Sequence, residues 1–204
     1  MQSKIPRGND RQWIESRGGR DVTVTHHPVR PERVEFLNEP DDPESGPLTL
    51  KFYLGPGHVV GEHIHPDQTE TLTVTQGRIR ATIDGDEGIL KVGDNRTVPP
   101  GTPHGYEVVG DEEVILAVSM SPALHFKEFV VAEHALAVDA YPETGLHLPY
   151  MALVARRYGL MIAPPTTGVR LTLLLAILGL VGRIRRLQIP DEPLPRRDEE
   201  DSER

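Results

Sequence analysis

The chain has 204 residues, which is long enough for one hydrophobic core and short for two full-sized domains. Its 31 acidic residues outnumber its 22 basic residues, and this excess argues against non-specific binding of nucleic acid over the whole surface. The absence of cysteine excludes disulfides and thiolate ligands, so a bound metal would need imidazole and carboxylate groups. The 19 glycines and 19 prolines are typical of a globular chain with many turns.

Residues 1–20 are polar and contain several glycines and charges, so we expect a flexible N-terminal arm. The first thirty residues lack the apolar stretch of a secretory signal peptide. A cytoplasmic location is therefore expected.

Residues 21–120 consist of short β-type runs separated by turn signals. The runs are DVTVT, ERVEFL, LTLKFYL, TLTVT, RIRATI and EVILAVSM. This spacing predicts an antiparallel sandwich or barrel, and the lack of a fixed repeat excludes solenoids and propellers. In LTLKFYL we expect the apolar residues Leu50, Phe52 and Leu54 to face the interior.

Residues 121–189 have apolar side chains at helical spacing and are predicted to form a helical extension. Pro122 suits the start of the first helix, and two more helices are expected over 148–158 and 167–187. The tail 190–204 is charged and interrupted by proline, so we expect it to be disordered.

Four residues are predicted metal ligands. His63 and His65 are two positions apart, so in a strand their side chains lie on one face. Glu70 lies in the run TETLTVTQ on the same face as its apolar residues, where a carboxylate is costly unless it is paired or binds a metal. His104 follows the rigid turn PPGTP, which would place it at the start of a new strand.

Three imidazoles and one carboxylate suit a divalent transition metal, namely Fe, Mn, Ni, Zn, Cu or Co. They suit Mg or Ca less well, because those ions prefer oxygen ligands. A His-x-His pair alone is common in loops, but the spacing of the full set is far more specific.

The complete spacing resembles the two sequence motifs of the cupin superfamily. The first motif, G-x5-H-x-H-x3–4-E-x6-G, is matched from Gly57 to Gly77. The second, G-x5-P-x-G-x2-H-x3-N, is matched from Gly93 to His104, with Val108 in place of the final Asn. The resemblance covers residues 45–120 and implies a mainly β, antiparallel jelly-roll barrel that binds a divalent metal through His63, His65, Glu70 and His104.

Cupins include dioxygenases, isomerases, decarboxylases, lyases, sensors and storage proteins, so the reaction must be argued from the site. The leading hypothesis is a metal-dependent, dioxygenase-like enzyme that acts on a small organic molecule. The alternatives are a non-catalytic binding or sensing protein, and an isomerase or lyase that uses the metal as a Lewis acid. Glu70 is a candidate base, and Tyr106, on the face of His104, is a candidate donor to the ligand.

In the stretch 168–187 the apolar run TLLLAILGLV is bounded by Arg170 on one side and by Arg183, Arg185 and Arg186 on the other, which suggests packing on the barrel, a homodimer contact or peripheral membrane contact. Its most apolar part, 171–181, is too short to span a membrane. No helix-turn-helix segment precedes the barrel, and no nucleic-acid partner is expected.

Among the other histidines, His26 and His27 are predicted at the surface, and His58 is a candidate neighbour of the metal ligands. Three histidines receive no role: His125, His134 and His147.

Overall fold

A computed structural model describes residues 12–17, 20–27, 29–140, 157–158 and 161–162. The strands in chain order are β1 (Gln12–Arg17), β2 (Arg20–His26), β3 (Glu32–Asn38), β4 (Leu48–Leu54), β5 (Val59–Ile64), β6 (Thr69–Gln76), β7 (Arg78–Ile83), β8 (Asp86–Lys91), β9 (Asn95–Val98), β10 (His104–Val108), β11 (Val114–Ser121) and β12 (Met161–Ile162). The helix α1 (Phe126–Ala140) follows β11, and residues 157–158 are also helical.

The strands pair antiparallel in two sheets. One sheet has the order β1-β2-β3-β4-β11-β6-β9, and the other has the order β12-β5-β10-β7-β8. The predicted jelly roll is confirmed, but its closure is not, because no strand pairing joins the two sheets within the described residues. The molecule is therefore an open sandwich, in which side-chain packing rather than backbone hydrogen bonding closes the interior.

The alternation of apolar and polar residues determines which face of each strand is buried. In β4 the four apolar positions are buried and the intervening ones are partly exposed, as predicted for Leu50, Phe52 and Leu54. The core combines side chains of both sheets and of α1, including Leu50, Leu72, Val74, Ile79, Leu90, Leu116, Val118, Phe126 and Val130.

Gly77 lies where the chain passes from one sheet to the other, between β6 and β7. Its φ of 72° is in the left-handed region, which L side chains rarely adopt. A Cβ at this position would lie 2.8 Å from Cγ2 of Val114. The second glycine of the first motif is thus required for the crossing between the sheets.

Three boundary predictions need correction. The predicted flexible arm contains β1, which pairs with β2 from Gln12 opposite Thr25 to Arg17 opposite Arg20. The backbone N–H and C=O groups of β1 thus find hydrogen-bond partners in β2. A Gly-Gly pair is a typical sequence for a hairpin connection as well as for a flexible arm. The first helix begins at Phe126 rather than at Pro122, because β11 continues to Ser121.

The predicted helical extension also contains a strand, since β12 pairs with β5 at His63 and Ile64. Of the helix predicted over 148–158, only residues 157–158 are described, and they are helical. The helix over 167–187 and the tail 190–204 lie outside the described residues. None of the helices described here is long and apolar enough to cross a membrane.

Candidate metal centre

The four predicted ligands converge from three strands that belong to both sheets. His63 lies in β5 and His65 just beyond its end, while His104 is the first residue of the neighbouring β10. Glu70 comes from β6 in the opposing sheet, where it alternates with partly exposed threonines and is 3% exposed. The prediction that Glu70 points inward is therefore confirmed.

One nitrogen or oxygen atom from each side chain lies within 4.8 Å of the others. The Nε2 atoms of His63 and His65 are 3.2 Å apart. Oε2 of Glu70 lies 2.8 Å from Nε2 of His104 and 3.6 Å from Nε2 of His65. At these separations the four atoms can coordinate one small cation together.

Backbone carbonyls orient two of the imidazoles. Nδ1 of His63 donates to the carbonyl of Gly61 at 2.9 Å, and Nδ1 of His104 donates to the carbonyl of Thr102 at 2.9 Å. In the neutral ring of His63 the lone pair is therefore on Nε2, the atom directed into the cluster, whereas Nε2 of His104 donates to Glu70. The lone pair of His63 lies within 4.8 Å of the buried carboxylate, so the donor set fits a cation between them.

The ionisation of the cluster follows from its burial and its charges. Loss of hydration, together with the neighbouring His104 and His65, lowers the pKa of His63 to about 3. Burial alone would raise the pKa of Glu70, but hydrogen bonds from His104 and His65 hold it well below its ordinary value. Burial lowers the pKa of His104, but the hydrogen bond to Glu70 and the charge of that carboxylate raise it above its ordinary value. Glu70 is thus held as an anion.

A local irregularity positions His104. The pairing of β10 with β5 shifts register between His104 and Tyr106, as in a β-bulge, which redirects side chains near functional sites. Gly105 lies at this point, and a Cβ there would be 2.9 Å from the carbonyl oxygen of Val60. The close approach of the two strands therefore depends on the absence of a side chain.

A cavity of about 220 Å³ opens beside the cluster. Its polar lining includes three of the four predicted ligands, His63, His65 and Glu70. Its apolar lining is formed by both sheets and α1, through Phe52, Val60, Tyr106, Phe126, Phe129 and Val130. This is the mixture of apolar wall and few polar groups that is typical of small-molecule sites.

Tyr106 lines this cavity and is 7% exposed. Burial raises the pKa of its hydroxyl well above 10, and the negative charges of Glu70 and Glu32 raise it further. The hydroxyl therefore keeps its proton and can act as a hydrogen-bond donor.

A second buried group of ionisable side chains was missed by the sequence analysis. His27, His58 and His134 are at most 5% exposed, although His27 was predicted at the surface. Nε2 of His134 lies 3.2 Å from Glu32 and Nε2 of His58 lies 3.3 Å from the same carboxylate. We call these three histidines, together with Arg30, Glu32 and Glu133, the Arg30 cluster.

Arg30 is the cation of this cluster. Its Nη2 donates to Oε1 of Glu133 at 2.6 Å and lies 3.5 Å from Oε2 of Glu32. Burial raises the pKa of Glu32, but a hydrogen bond from His134 and nearby positive charge bring it to about 2. Burial likewise opposes ionisation of Glu133, but a hydrogen bond from His27 and the charge of Arg30 lower its pKa. Both carboxylates are therefore ionised at neutral pH.

The Arg30 cluster is a poor metal site. Nδ1 of His27 accepts the backbone N–H groups of Val29 at 3.1 Å and Arg30 at 2.8 Å. The proton of this neutral ring is consequently on Nε2, which faces Glu133 and has no lone pair for a metal. The sequence did contain a signal, because Glu133 and His134 follow Phe126 at i+7 and i+8, on the apolar face of the helix.

A jelly roll with this His-x-His, Glu and His cluster is typical of cupin domains. Residues 50–120 match the family described as "Cupin domain". Residues 50–120 therefore match a cupin domain, as the sequence motifs indicated.

Curated relatives match only part of the chain. Quercetin 2,3-dioxygenase of Bacillus subtilis (strain 168) is 32% identical over 66 residues, which are 32% of this chain and 20% of that protein. Auxin-binding protein ABP19b of Prunus persica is 34% identical over 102 residues, which cover 46% of this chain and 48% of that protein. The chain thus spans less than half of the length of these relatives.

Among solved structures, an RmlC-like cupin from Shewanella frigidimarina NCIMB 400 is 22% identical and has a TM-score of 0.41. The match covers 60% of this chain and 93% of that one.

Proposed function

We propose that this protein is a metal-dependent oxygenase that acts on a small organic molecule. The observation that carries the proposal is the convergence of three imidazole nitrogens and one carboxylate oxygen beside a cavity with apolar lining, which His63, His65 and Glu70 reach. In this proposal His63, His65, Glu70 and His104 hold a divalent transition metal, for which Fe, Mn, Ni, Zn and Cu are the candidates. The similarity to quercetin 2,3-dioxygenase supports an oxygenase rather than another cupin activity.

When bound, the metal supplies Lewis-acid polarisation and the electron chemistry that oxygenation requires. The carbonyls of Gly61 and Thr102 fix the rings of His63 and His104, so that Nε2 of His63 is directed towards His65 and Nε2 of His104 towards Glu70. Glu70 contributes negative charge, and the same low pKa that keeps it ionised makes it a weak proton acceptor. We therefore assign Glu70 to metal binding first, with any catalytic role secondary to it.

The remaining lining excludes water and orients the ligand. Phe52, Phe126 and Phe129 supply apolar surface beside the cluster. Tyr106 offers a protonated hydroxyl to an oxygen atom of the bound molecule.

The ligand assignment is tested by elemental analysis of purified variants. His63→Ala and Glu70→Ala should each lose most of the bound metal, because each removes one of four ligands. His125→Ala is the matched control, since His125 is an exposed histidine, and its metal content should equal that of the wild type. Equal metal content in all three variants would refute the site.

The reaction is tested by oxygen uptake. Iron-loaded protein should consume O₂ in the presence of at least one member of a panel of phenolic, thiol and dicarbonyl compounds. His63→Ala should abolish this uptake. Turnover that continues under strict anaerobiosis would instead indicate an isomerase or lyase.

A non-catalytic binding protein is the second candidate, and the similarity to auxin-binding protein ABP19b is the observation that favours it. It predicts metal-dependent binding of a compound by calorimetry without oxygen uptake or product. That combination of results would replace the oxygenase proposal.

A further inference from the structure

The cavity beside the metal cluster also reaches the Arg30 cluster. Arg30, Glu32 and Glu133 line it together with His63 and His65. The helix α1 spans the distance between the two polar regions, since the ring of Phe126 lies 5.5 Å from the ring of His65 and Glu133 lies further along the helix. The seven residues from Phe126 to Glu133 correspond to about 10 Å of helix.

Arg30 is the most accessible side chain of its cluster. Its side chain is 31% exposed, whereas those of Glu32 and Glu133 are 8% and 7% exposed. Arg30 lines the cavity, and the two carboxylates hold its guanidinium by ion pairs of 2.6 Å and 3.5 Å. A guanidinium that is already held by two carboxylates loses little conformational entropy when a ligand binds.

The charges of the cluster discriminate between ligand groups. Two ionised carboxylates face one guanidinium, which leaves one negative charge in excess among the described residues when the imidazoles are neutral. A ligand carboxylate would add a third negative charge, and juxtaposed like charges are costly. An ammonium group would be attracted by this excess charge, but it can only donate, so it cannot accept a hydrogen bond from Arg30. A hydroxyl accepts from a guanidinium and donates to a carboxylate at the same time.

We propose that the Arg30–Glu133 pair is the subsite for an uncharged hydroxyl group of the ligand, at the end remote from the metal. The ligand is then a small, uncharged, hydroxylated molecule that carries an oxygen donor for the metal at its other end. This inference rests on the proposed metal site. The volume of about 220 Å³ is below the usual range of about 300–1,000 Å³ for drug-sized ligands, so the body of the ligand is about one ring in size.

The test uses three benzohydroxamic acids that bind metal through the same oxygen pair and differ only in the para substituent. The substituents are hydroxymethyl, carboxylate and aminomethyl. Zinc-loaded protein is titrated by calorimetry at pH 8, where free imidazole is neutral, and zinc avoids redox chemistry. The hydroxymethyl compound should bind about tenfold more tightly than the carboxylate compound, and more tightly than the aminomethyl compound, which cannot accept from Arg30.

The variant Glu133→Gln keeps the shape of the pair and removes the excess charge. It should increase the affinity of the carboxylate compound and reduce the tenfold preference to about threefold or less. A gain of affinity cannot result from poor folding. Glu128→Gln is the matched control, because Glu128 is exposed on the same helix, and it should keep the wild-type preference.

The outcomes separate the two proposals. Wild-type protein that binds the carboxylate compound as tightly as the hydroxymethyl compound overturns the subsite, whether or not the variant folds. An unchanged preference in folded Glu133→Gln shows that the pair has only a structural role. If none of the compounds binds more tightly to zinc-loaded than to metal-free protein, the metal site itself fails.

Discussion

The two buried groups of ionisable side chains differ in what balances their negative charge. Glu32 and Glu133 share the guanidinium of Arg30, so the Arg30 cluster contains its own cation. Among the described residues Glu70 faces only imidazoles: Nε2 of His104 donates to it, and Nε2 of the neutral His63 carries a lone pair because its Nδ1 donates to a carbonyl. Buried charge requires a partner, so the metal cluster is the one that an external cation would complete.

The hydroxyl of Tyr106 gives a prediction that isolates one hydrogen bond. Tyr106→Phe should keep the metal content and the melting temperature close to wild type, because the ring continues to fill its place in the core. Affinity for the para-hydroxymethyl benzohydroxamate should fall by about three- to tenfold, the usual net effect of one hydrogen bond. Calorimetry on the zinc-loaded protein measures this affinity. Unchanged affinity would remove Tyr106 from the ligand contacts.

The low pKa of Glu32 predicts a pH dependence of stability. Its pKa falls from 4.5 to about 2 on folding, so the unfolded chain binds more protons between these values. The stability that Glu32 contributes is therefore complete above pH 4.5 and is lost as the pH falls towards 2. Glu32→Gln should lower the free energy of unfolding at pH 7 by about 3–5 kcal/mol, because it breaks a buried ion pair.

The measurement is urea unfolding at a series of pH values from neutral to acid. The free energy of unfolding should decline less steeply with acid in Glu32→Gln than in the wild type. The exposed Glu128→Gln should stay within about 0.5 kcal/mol of the wild type at pH 7. Parallel declines in the wild type and Glu32→Gln would contradict the role given to Glu32.

Sequence reasoning placed Glu70 correctly because strand alternation put a carboxylate on an apolar face. The same reasoning applies to Glu133 and His134 on the apolar face of α1. Their partners could not be predicted, because Arg30 and Glu32 are about one hundred residues away in the chain. Only the packing of α1 against the first strands brings these groups together.

At the scale of elements, the junction of β5 and β10 sets the position of His104. Gly105→Ala should cost about 1–3 kcal/mol of stability, since its Cβ would meet the backbone of Val60 and Glu62. The strands would have to separate locally, so metal content should also fall. The control is Gly88→Ala in β8, where a Cβ meets nothing within 4 Å.

Urea unfolding and elemental analysis of both glycine variants give the result. If Gly105→Ala and Gly88→Ala lost stability and metal content equally, the cause would be a general effect of alanine in strands and not the close approach at Gly105.

The elements that the sequence missed are short or ambiguous. The strand β12 has two residues, too few for any periodic pattern, and it forms only because β5 offers a free edge to pair with. The strand β1 was hidden by a Gly-Gly pair that suits a flexible arm and a hairpin equally. Longer strands such as β4 and β11 were predictable because their alternation extends over seven or eight residues.

At the scale of the whole molecule, the proposed metal links the two sheets. His63 and His104 belong to one sheet and Glu70 to the other. Added Zn²⁺ at one hundred times its dissociation constant should raise the free energy of unfolding by about 2.7 kcal/mol, because the unfolded chain lacks the assembled site. Thermal melts with and without chelator measure this shift. A shift of equal size in Glu70→Ala would show that zinc acts elsewhere.

The separation of the ligands along the chain also determines when the site can form. Glu70 and His104 are 34 residues apart, and the intervening chain contains β7, β8 and β9. The chain loses conformational entropy when a segment of this length closes, and it gains free energy from the contact between the ends only afterwards. A chain growing from its N-terminus would therefore have the His-x-His pair long before it had a place to hold an ion. Uptake of the proposed metal would be a late step of folding, and it would mark the docking of one sheet on the other.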